Sequence, residues 1–417
     1  MGGALLDLVA KGGQDIYLIC NPQISFFKKV YKRHTNFSVE FHKFLLDGDS
    51  DFGKADRVFI PRRGDLIKNM FLHIELPDLT PNGSAASYSN FIGYNLIEYV
   101  EIHMGGTLID RQTGEWLYSW NELSTPESKK RAYYEMVGGK PFAGYSSYSG
   151  NQGGTYIVPL SFWFGKDISQ SIPHLALQYS EIEFRIKFRD FDKLWISSDN
   201  NAPTGNYKIK NCQLSVEYVY LDNKERRLFA QSNHEYLIKQ VQYSINNNVN
   251  SGEKKKTFNL NFNHPVLELV FFVLNKNTRR KENESTGGTD TDSFNTKNNW
   301  LNFSKTLTAP FADPIKNAKI LLNGQDRTPE MTSKELRFYN ILEKHTSIPN
   351  NFLYVYSFSL SPEDYQPTGS CNFSRFDNRQ LEIEFEDGIQ NSELKIYALN
   401  YNVLRISQGL CGLAYVN

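Results

Sequence analysis

The run Ile182-Glu183-Phe184-Arg185-Ile186-Lys187-Phe188 puts an apolar residue at every second position and a charge in each gap. Successive side chains of a strand point to opposite faces, so this pattern predicts one core face and one wet face. Leu381, Ile383 and Phe385 repeat it, with Glu382, Glu384 and Glu386 turned outward. Similar runs, separated by Gly, Asn and Pro clusters, predict about eight strands per half of the chain. One-sided strands bury their apolar face only against a second sheet, so the expected fold class is all-β, built of sandwiches. Short helices are expected in the loops. Asn21 before Pro22 predicts one with Ile24, Phe27 and Tyr31 on a shared face. Thr125-Pro126-Glu127 opens another that closes at Gly138-Gly139.

The pattern is also written twice. VEIHMGGTLIDRQ (100–112) returns as AKILLNGQDRT (318–328), with Gly106 answered by Gly324. Residues 57–76 lie without a gap on 256–275, setting Phe59 on Phe258, Ile67 on Val266 and Ile74 on Val273. YSWNEL (118–123) matches RFYNIL (337–342), SFWF (161–164) matches SFSL (357–360), and IEFRI (182–186) matches LEIEF (381–385). LSVEYVYL (214–221) sits over LKIYALNY (394–401). An ordered series of matches at a shift of roughly two hundred positions argues for duplication of a whole domain. The expected division is an arm with a short helix over 1–36, a first sandwich over 37–220, a charged linker over 221–245, and a second sandwich over 246–417.

Composition narrows the function. The 417 residues favour two or three folding units, and 29 Phe and 24 Tyr against five Met suit strands better than helices. Lys plus Arg equals Asp plus Glu at 46 each, so no global field collects nucleic acid or an anionic membrane. Four cysteines without CxxC spacing, Cys20, Cys212, Cys371 and Cys411, point to reduced, buried thiols. The opening MGGALLDLVAKGGQD lacks the basic region and length of a signal peptide, has Leu6 where myristoylation wants Ser or Thr, and no run reaches bilayer-spanning length. A soluble intracellular product is expected.

Candidate chemistry is thin. The eight histidines have no zinc-ligand spacing, and neither GxSxG nor a P-loop is present. DGDSDFG (47–53) offers Asp47, Asp49 and Asp51 to a calcium loop, but Phe52 takes the glycine site and Val58 the closing glutamate. An exposed turn is the better account. Glu382 and Glu384, roughly 7 Å apart on one strand face, have a separation glycosidases use, yet solvation explains them more simply. The basic runs 28–34, 253–256 and 278–281 read as solvated or ion-paired faces. Sequons stand at Asn36, Asn82, Asn283, Asn302 and Asn372. The polar stretch 275–299 predicts a long surface loop. No catalytic, cofactor-binding or metal-ligating residue is assigned.

Several strings carry a resemblance that spans the chain. QDIYLICNPQISFFKKVYKRHTNF (14–37), IPHLALQYSEIEF (172–184), LNFNHP (260–265), LYVYSFSLSPEDYQPTGSCNFSRFDN (353–378) and YALNYNVLRISQGLCGLAYVN (397–417) resemble major capsid proteins of nucleocytoplasmic large DNA viruses, closest to the algal-virus and giant-virus branch. GDLI (64–67), HEYLI (234–238) and LNGQDR (322–327) add to the likeness. The resemblance implies a double jelly roll, two tandem eight-stranded sandwiches. It also implies a non-enzymatic homotrimer whose nearly hexagonal capsomers tile an icosahedral shell. Implied partners are copies of itself, minor capsid and penton proteins, and internal viral membrane proteins, with no nucleic-acid contact. Implied location is the virion, after assembly in the host cytoplasm. Competing readings are a minor or vertex-associated capsid paralogue, a two-sandwich carbohydrate-processing enzyme, and a lectin.

Overall fold

The computed structural model describes residues 2–82, 86–140, 148–197, 201–245, 247–276, 298–306 and 311–416. Residues 2–36 form a unit of their own with two short helices, α1 (Gly3–Val9) and α2 (Ile16–Ile19), neither of which buries a residue. The helix expected after Asn21 does not form. Asn21 has φ +49°, outside the extended region an N-cap needs, so Pro22 starts no helix.

Residues 37–417 form the second unit. Its first half carries β1 (Phe37–Leu45), β2 (Ala55–Phe59), β3 (Leu66–Leu76), β4 (Ile97–Met104), β5 (Thr107–Thr113), β6 (Gly154–Pro159), β7 (Ile182–Phe188) and β8 (Asn211–Leu221). They pair in two antiparallel sheets of order β1-β8-β3-β6 and β2-β7-β4-β5. The second half carries β9 (His234–Ser244), β10 (Lys255–Asn259), β11 (Pro265–Asn275), β12 (Ile315–Leu322), β13 (Gln325–Asp326), β14 (Tyr354–Ser357), β15 (Arg379–Phe385) and β16 (Ser392–Ser407). Their sheets run β9-β16-β11-β14 and β10-β15-β12-β13. Each of these first eight strands has its counterpart eight places on, in the same position of the matching sheet. Both halves are jelly rolls.

Three irregularities are duplicated with the strands. Gly105-Gly106 joins β4 to β5 and Asn323-Gly324 joins β12 to β13, all four with φ between +50° and +80°. That is the two-residue turn whose twist suits a hairpin, and it needs positive φ at both positions. Against β8, β3 carries one extra residue at Lys68, and against β16, β11 carries one at Leu267. β4 bulges at Glu98 beside β7, and β12 bulges at Lys316 beside β15. At this last site the ion pair is inverted: Glu98 meets Lys187 at 3.2 Å, and Lys316 meets Glu384 at 2.7 Å.

These marks fix the repeat and correct its alignment. Val58, not Phe59, is the counterpart of Phe258, because the loop after β2 is one residue longer than the loop after β10. Val58 and Phe258 are buried, whereas Phe59 is 41% exposed. Ile67 and Ile74 do stand opposite Val266 and Val273 in register. The β7/β15 and β8/β16 matches each slide by two residues, giving Phe184 with Leu381 and Tyr218 with Asn400. A slip of two leaves every side chain on its face, so hydrophobic pattern alone cannot detect it.

The cores follow the alternation. Met70, Leu72 and Ile74 of β3 meet Phe184 and Ile186 of β7 in the first core, all fully buried. Helix α3 (Gly114–Ser124) is capped by Thr113, whose Oγ1 accepts from the Trp116 N–H at 3.3 Å. Helix α4 (Glu127–Val137) ends at Gly138, with φ +72°, as the sequence predicts. The stretch expected as a linker over 221–245 differs: after helix α5 (Asn223–Gln231), β9 pairs along its whole length with β16 and belongs to the second sandwich. Its alternating Tyr236, Ile238 and Gln240 are strand residues among charges. In the second half Thr332 and Glu335 form a reciprocal capping box that starts a π-turn (Glu335–Tyr339) and helix α6 (Asn340–Lys344).

Candidate functional site: the seam and the open faces

The two sandwiches meet along a seam. Helix α3 packs its tryptophans on the outer face of β16: Trp116 lies 5.4 Å from the Tyr397 ring, and the Thr113 and Tyr397 hydroxyls hydrogen-bond at 2.8 Å. Strand β5 meets β9, where Gln240 Nε2 donates to the Ile109 carbonyl and the Val241 N–H donates to Asp110 Oδ1 at 3.0 Å. Phe303 stacks on Phe272 at 4.0 Å and meets Tyr118 edge-on. Asn298 donates to the Asp192 and Trp195 carbonyls, so the end of the predicted 275–299 loop is buried here. Residues 277–297 of that loop lie outside the described residues.

A charged network closes one end of the seam. His345 places Nε2 at 2.9 Å from Glu268 and Nδ1 at 3.1 Å from Glu363, its side chain wholly enclosed. Both ring nitrogens can donate only in the imidazolium form. Burial works against that charge, but the two carboxylates outweigh it and raise the pKa to about 9. Burial alone would raise Glu363, yet His345, Lys166 and the Thr346 bonds bring it down to about 2. Lys239 donates to the Pro362 and Asp364 carbonyls, and burial with Lys166 nearby lowers it to about 8. Burial raises Asp110 to about 7 against its bonds from Val241 and Gln112. Between these groups lies a cleft lined by Trp116, Trp120, Lys166, Leu237, Lys239 and Val241. No sequence motif marks this network, whose members come together only through the fold.

The residues weighed from sequence do not converge. Asp49 pairs with Lys54 at 2.7 Å, and Asp51 accepts the Phe52 N–H, so the acidic turn is internally satisfied. Glu382 is held below the usual carboxylate range by a bond from Lys255, and Glu384 by one from Lys316. Both therefore sit in an ion ladder with the lysines of β10 and β12, in which the basic run 253–256 takes part. Asn302 is fully buried and donates to the Thr306 carbonyl, which bars it from glycosylation, while Asn372 caps the short helix Phe373–Arg375. Asn283 and the basic run 278–281 lie outside the described residues.

What remains open is apolar. In the arm, Tyr17 is 91% and Phe27 100% exposed; on β1, Phe37, Val39 and Phe41 are 42–54% exposed. The turn and helix 335–344 expose Phe338, Tyr339 and Leu342. Exposed apolar groups gathered on one element mark contact with another molecule. Residues 25–222 match the family described as major capsid protein N-terminus, and residues 225–412 the family described as large eukaryotic DNA virus major capsid protein. The chain belongs to this capsid family. It is 34% identical to the major capsid protein of Pyramimonas orientalis virus and 32% to that of Phaeocystis pouchetii virus, over 100% of each chain. The crystal structure of PBCV-1 VP54 superposes with a TM-score of 0.78 at 27% identity, covering 94% of this chain and 100% of that one. This major capsid protein is a structural, non-enzymatic component of the virion shell.

Proposed function

We propose that this capsid protein works as a homotrimer closed head to tail, with a nearly hexagonal outline that tiles an icosahedral shell. The observation that carries this reading is the duplicated framework: two sandwiches with one strand order, one hairpin turn and two bulges in common. Three such chains present six like sides, and a closed ring leaves no subunit interface unsatisfied. Neighbouring trimers then meet through equivalent edges, each contact modest and multiplied across the shell. Minor capsid and penton proteins and internal viral membrane proteins are the further partners, and assembly takes place in the host cytoplasm. Residues 1–36 serve as an arm that buries its apolar side chains against a neighbour or the shell's inner layer.

Sedimentation equilibrium tests the trimer: the expected mass is three times the 48.1 kDa subunit, and monomers at every concentration would overturn it. High copy number in purified particles is expected, and a few copies per particle would assign the chain to a minor role instead. Deleting residues 1–30 is expected to weaken shell assembly. Unchanged trimers together with unchanged shells would remove the arm's role.

A further inference from the structure

The cleft in the seam holds two polar groups that the chain leaves incomplete. Its wall from the first sandwich is aromatic: Trp116 and Trp120 of α3 stack at 5.5 Å. Lys166 stands at the rim, its side chain 42% exposed, with Nζ 5.2 Å from the centre of the Trp120 ring. The wall from the second sandwich is Leu237, Lys239 and Val241, alternate residues on one face of β9. The space between is about 590 Å³ with its open mouth included, which suits one small molecule.

Gln112 of β5 also lines the cleft and is 1% exposed. Its Nε2 donates to Asp110 Oδ2 at 2.8 Å and to the Ser161 carbonyl at 2.9 Å, which uses both amide hydrogens. Its Oε1 accepts from no donor among the described residues, a costly state for a buried acceptor. Lys239 is the second incomplete group. Two of its three hydrogens go to the Pro362 and Asp364 carbonyls at 2.8 and 2.6 Å, and among the described residues it has no carboxylate in ion-pair contact. The two acids of the cleft are engaged elsewhere: Glu363 accepts from His345, Lys166 and Thr346, and Asp167 accepts the Ser169 N–H. An apolar wall with a few unsatisfied polar groups is the usual make-up of a small-molecule site.

We propose that this cleft binds a small aromatic acid, with its ring against Trp116 and Trp120, its anionic group on Lys239 and a hydroxyl donor on Gln112 Oε1. Both sandwiches supply the walls, so the bound molecule clamps the seam and raises the stability of the subunit that carries it. The site lies within one chain and does not depend on the trimer reading.

The test uses the full-length protein and para-hydroxycinnamate, read by titration calorimetry and by thermal unfolding. Saturable binding, with one site per chain and a raised unfolding midpoint, is expected. Cinnamate lacks the hydroxyl and methyl para-hydroxycinnamate lacks the acid, and each should bind about tenfold more weakly. Gln112→Leu should erase the preference for the hydroxyl alone, and Lys239→Met the preference for the acid alone. No binding by any of the three compounds, or a parent series that lacks either preference, would overturn the proposal. Preferences that survive both substitutions would overturn it too. Should a variant fail to fold, the parent series decides by itself.

Discussion

Strands β3 and β11 hold the same place in their sheets, yet one is buried on one face and the other on both. In β3 the inward Met70, Leu72 and Ile74 are fully buried, and the outward Phe71, His73 and Glu75 are part-exposed. Their register counterparts in β11 are Val270, Phe272 and Leu274, all at 1% exposure or less. The neighbouring outward positions change in step: Ser215 and Glu217 of β8 correspond to Tyr397 and Leu399 of β16. The second sandwich has an apolar outer face because the first sandwich covers it. The first has a mixed face, on which Phe71, His73 and Glu75 stay part-exposed. Duplication kept the framework, and the two flanks then diverged according to what lies against them.

The largest expected effect comes from exchanging the two situations. Phe272→Ala removes a ring held between Phe303 at 4.0 Å and Tyr397 at 5.8 Å, and should cost about 3–5 kcal/mol. His73→Ala at the matching position should stay within about 0.5–1 kcal/mol when the subunit is separated from its neighbours by dilution. Urea midpoints of the two variants against the parent give both numbers. Equal losses would break the comparison.

A second, smaller effect isolates the seam's charges. The folded pKa of His345, about 9, lies above its ordinary 6.5, so its stabilisation is complete below pH 6.5 and is lost as pH climbs through 9. The loss is on the order of 3 kcal/mol at one pKa unit per 1.36 kcal/mol. Lys239 works oppositely: lowered to about 8, it penalises the fold at low pH and relieves it on passing from 8 toward 10.5. Stability should therefore fall from pH 6.5 to 8 before Lys239 begins to offset it. His345→Gln should flatten that fall, which urea titrations at half-unit pH steps would show. A slope unchanged by the substitution would mean that the network contributes nothing to the seam.

Much of this architecture is legible in sequence because alternation and turn chemistry are local. The β7 and β15 runs, the Gly106 and Gly324 turns and the α4 helix closed by Gly138 all declare themselves within a dozen residues. What was not legible depends on distant partners. The segment 221–245 reads as a charged linker because Lys239 and Gln240 are spent on the seam, so β9 lacks a clean apolar alternation. Asn21-Pro22 carries the right residue types for a helix start, but the backbone at Asn21 takes the left-handed region. Lys166, Glu268, His345 and Glu363 lie on separate loops and strands, and no spacing could have joined them. The seam was invisible for the same reason that it is specific: each sandwich supplies only half of it.

The smallest expected effect tests whether the frameworks are still equivalent. Gly106 and Gly324 have φ of +80° and +77°, and a Cβ at either would meet nothing within 4 Å. Substitution by Ala therefore adds no clash, and the cost is only that of holding an L-residue in the left-handed region, about 1 kcal/mol. Gly106→Ala and Gly324→Ala should each lower stability by that amount, equally to within a few tenths, and the double variant should lose the sum, since the sites share no partner. Unequal losses measured by thermal unfolding would show that one hairpin has come to carry strain or contacts that the other lacks. Equality would place the divergence of the two sandwiches entirely on their flanks, where the open faces are.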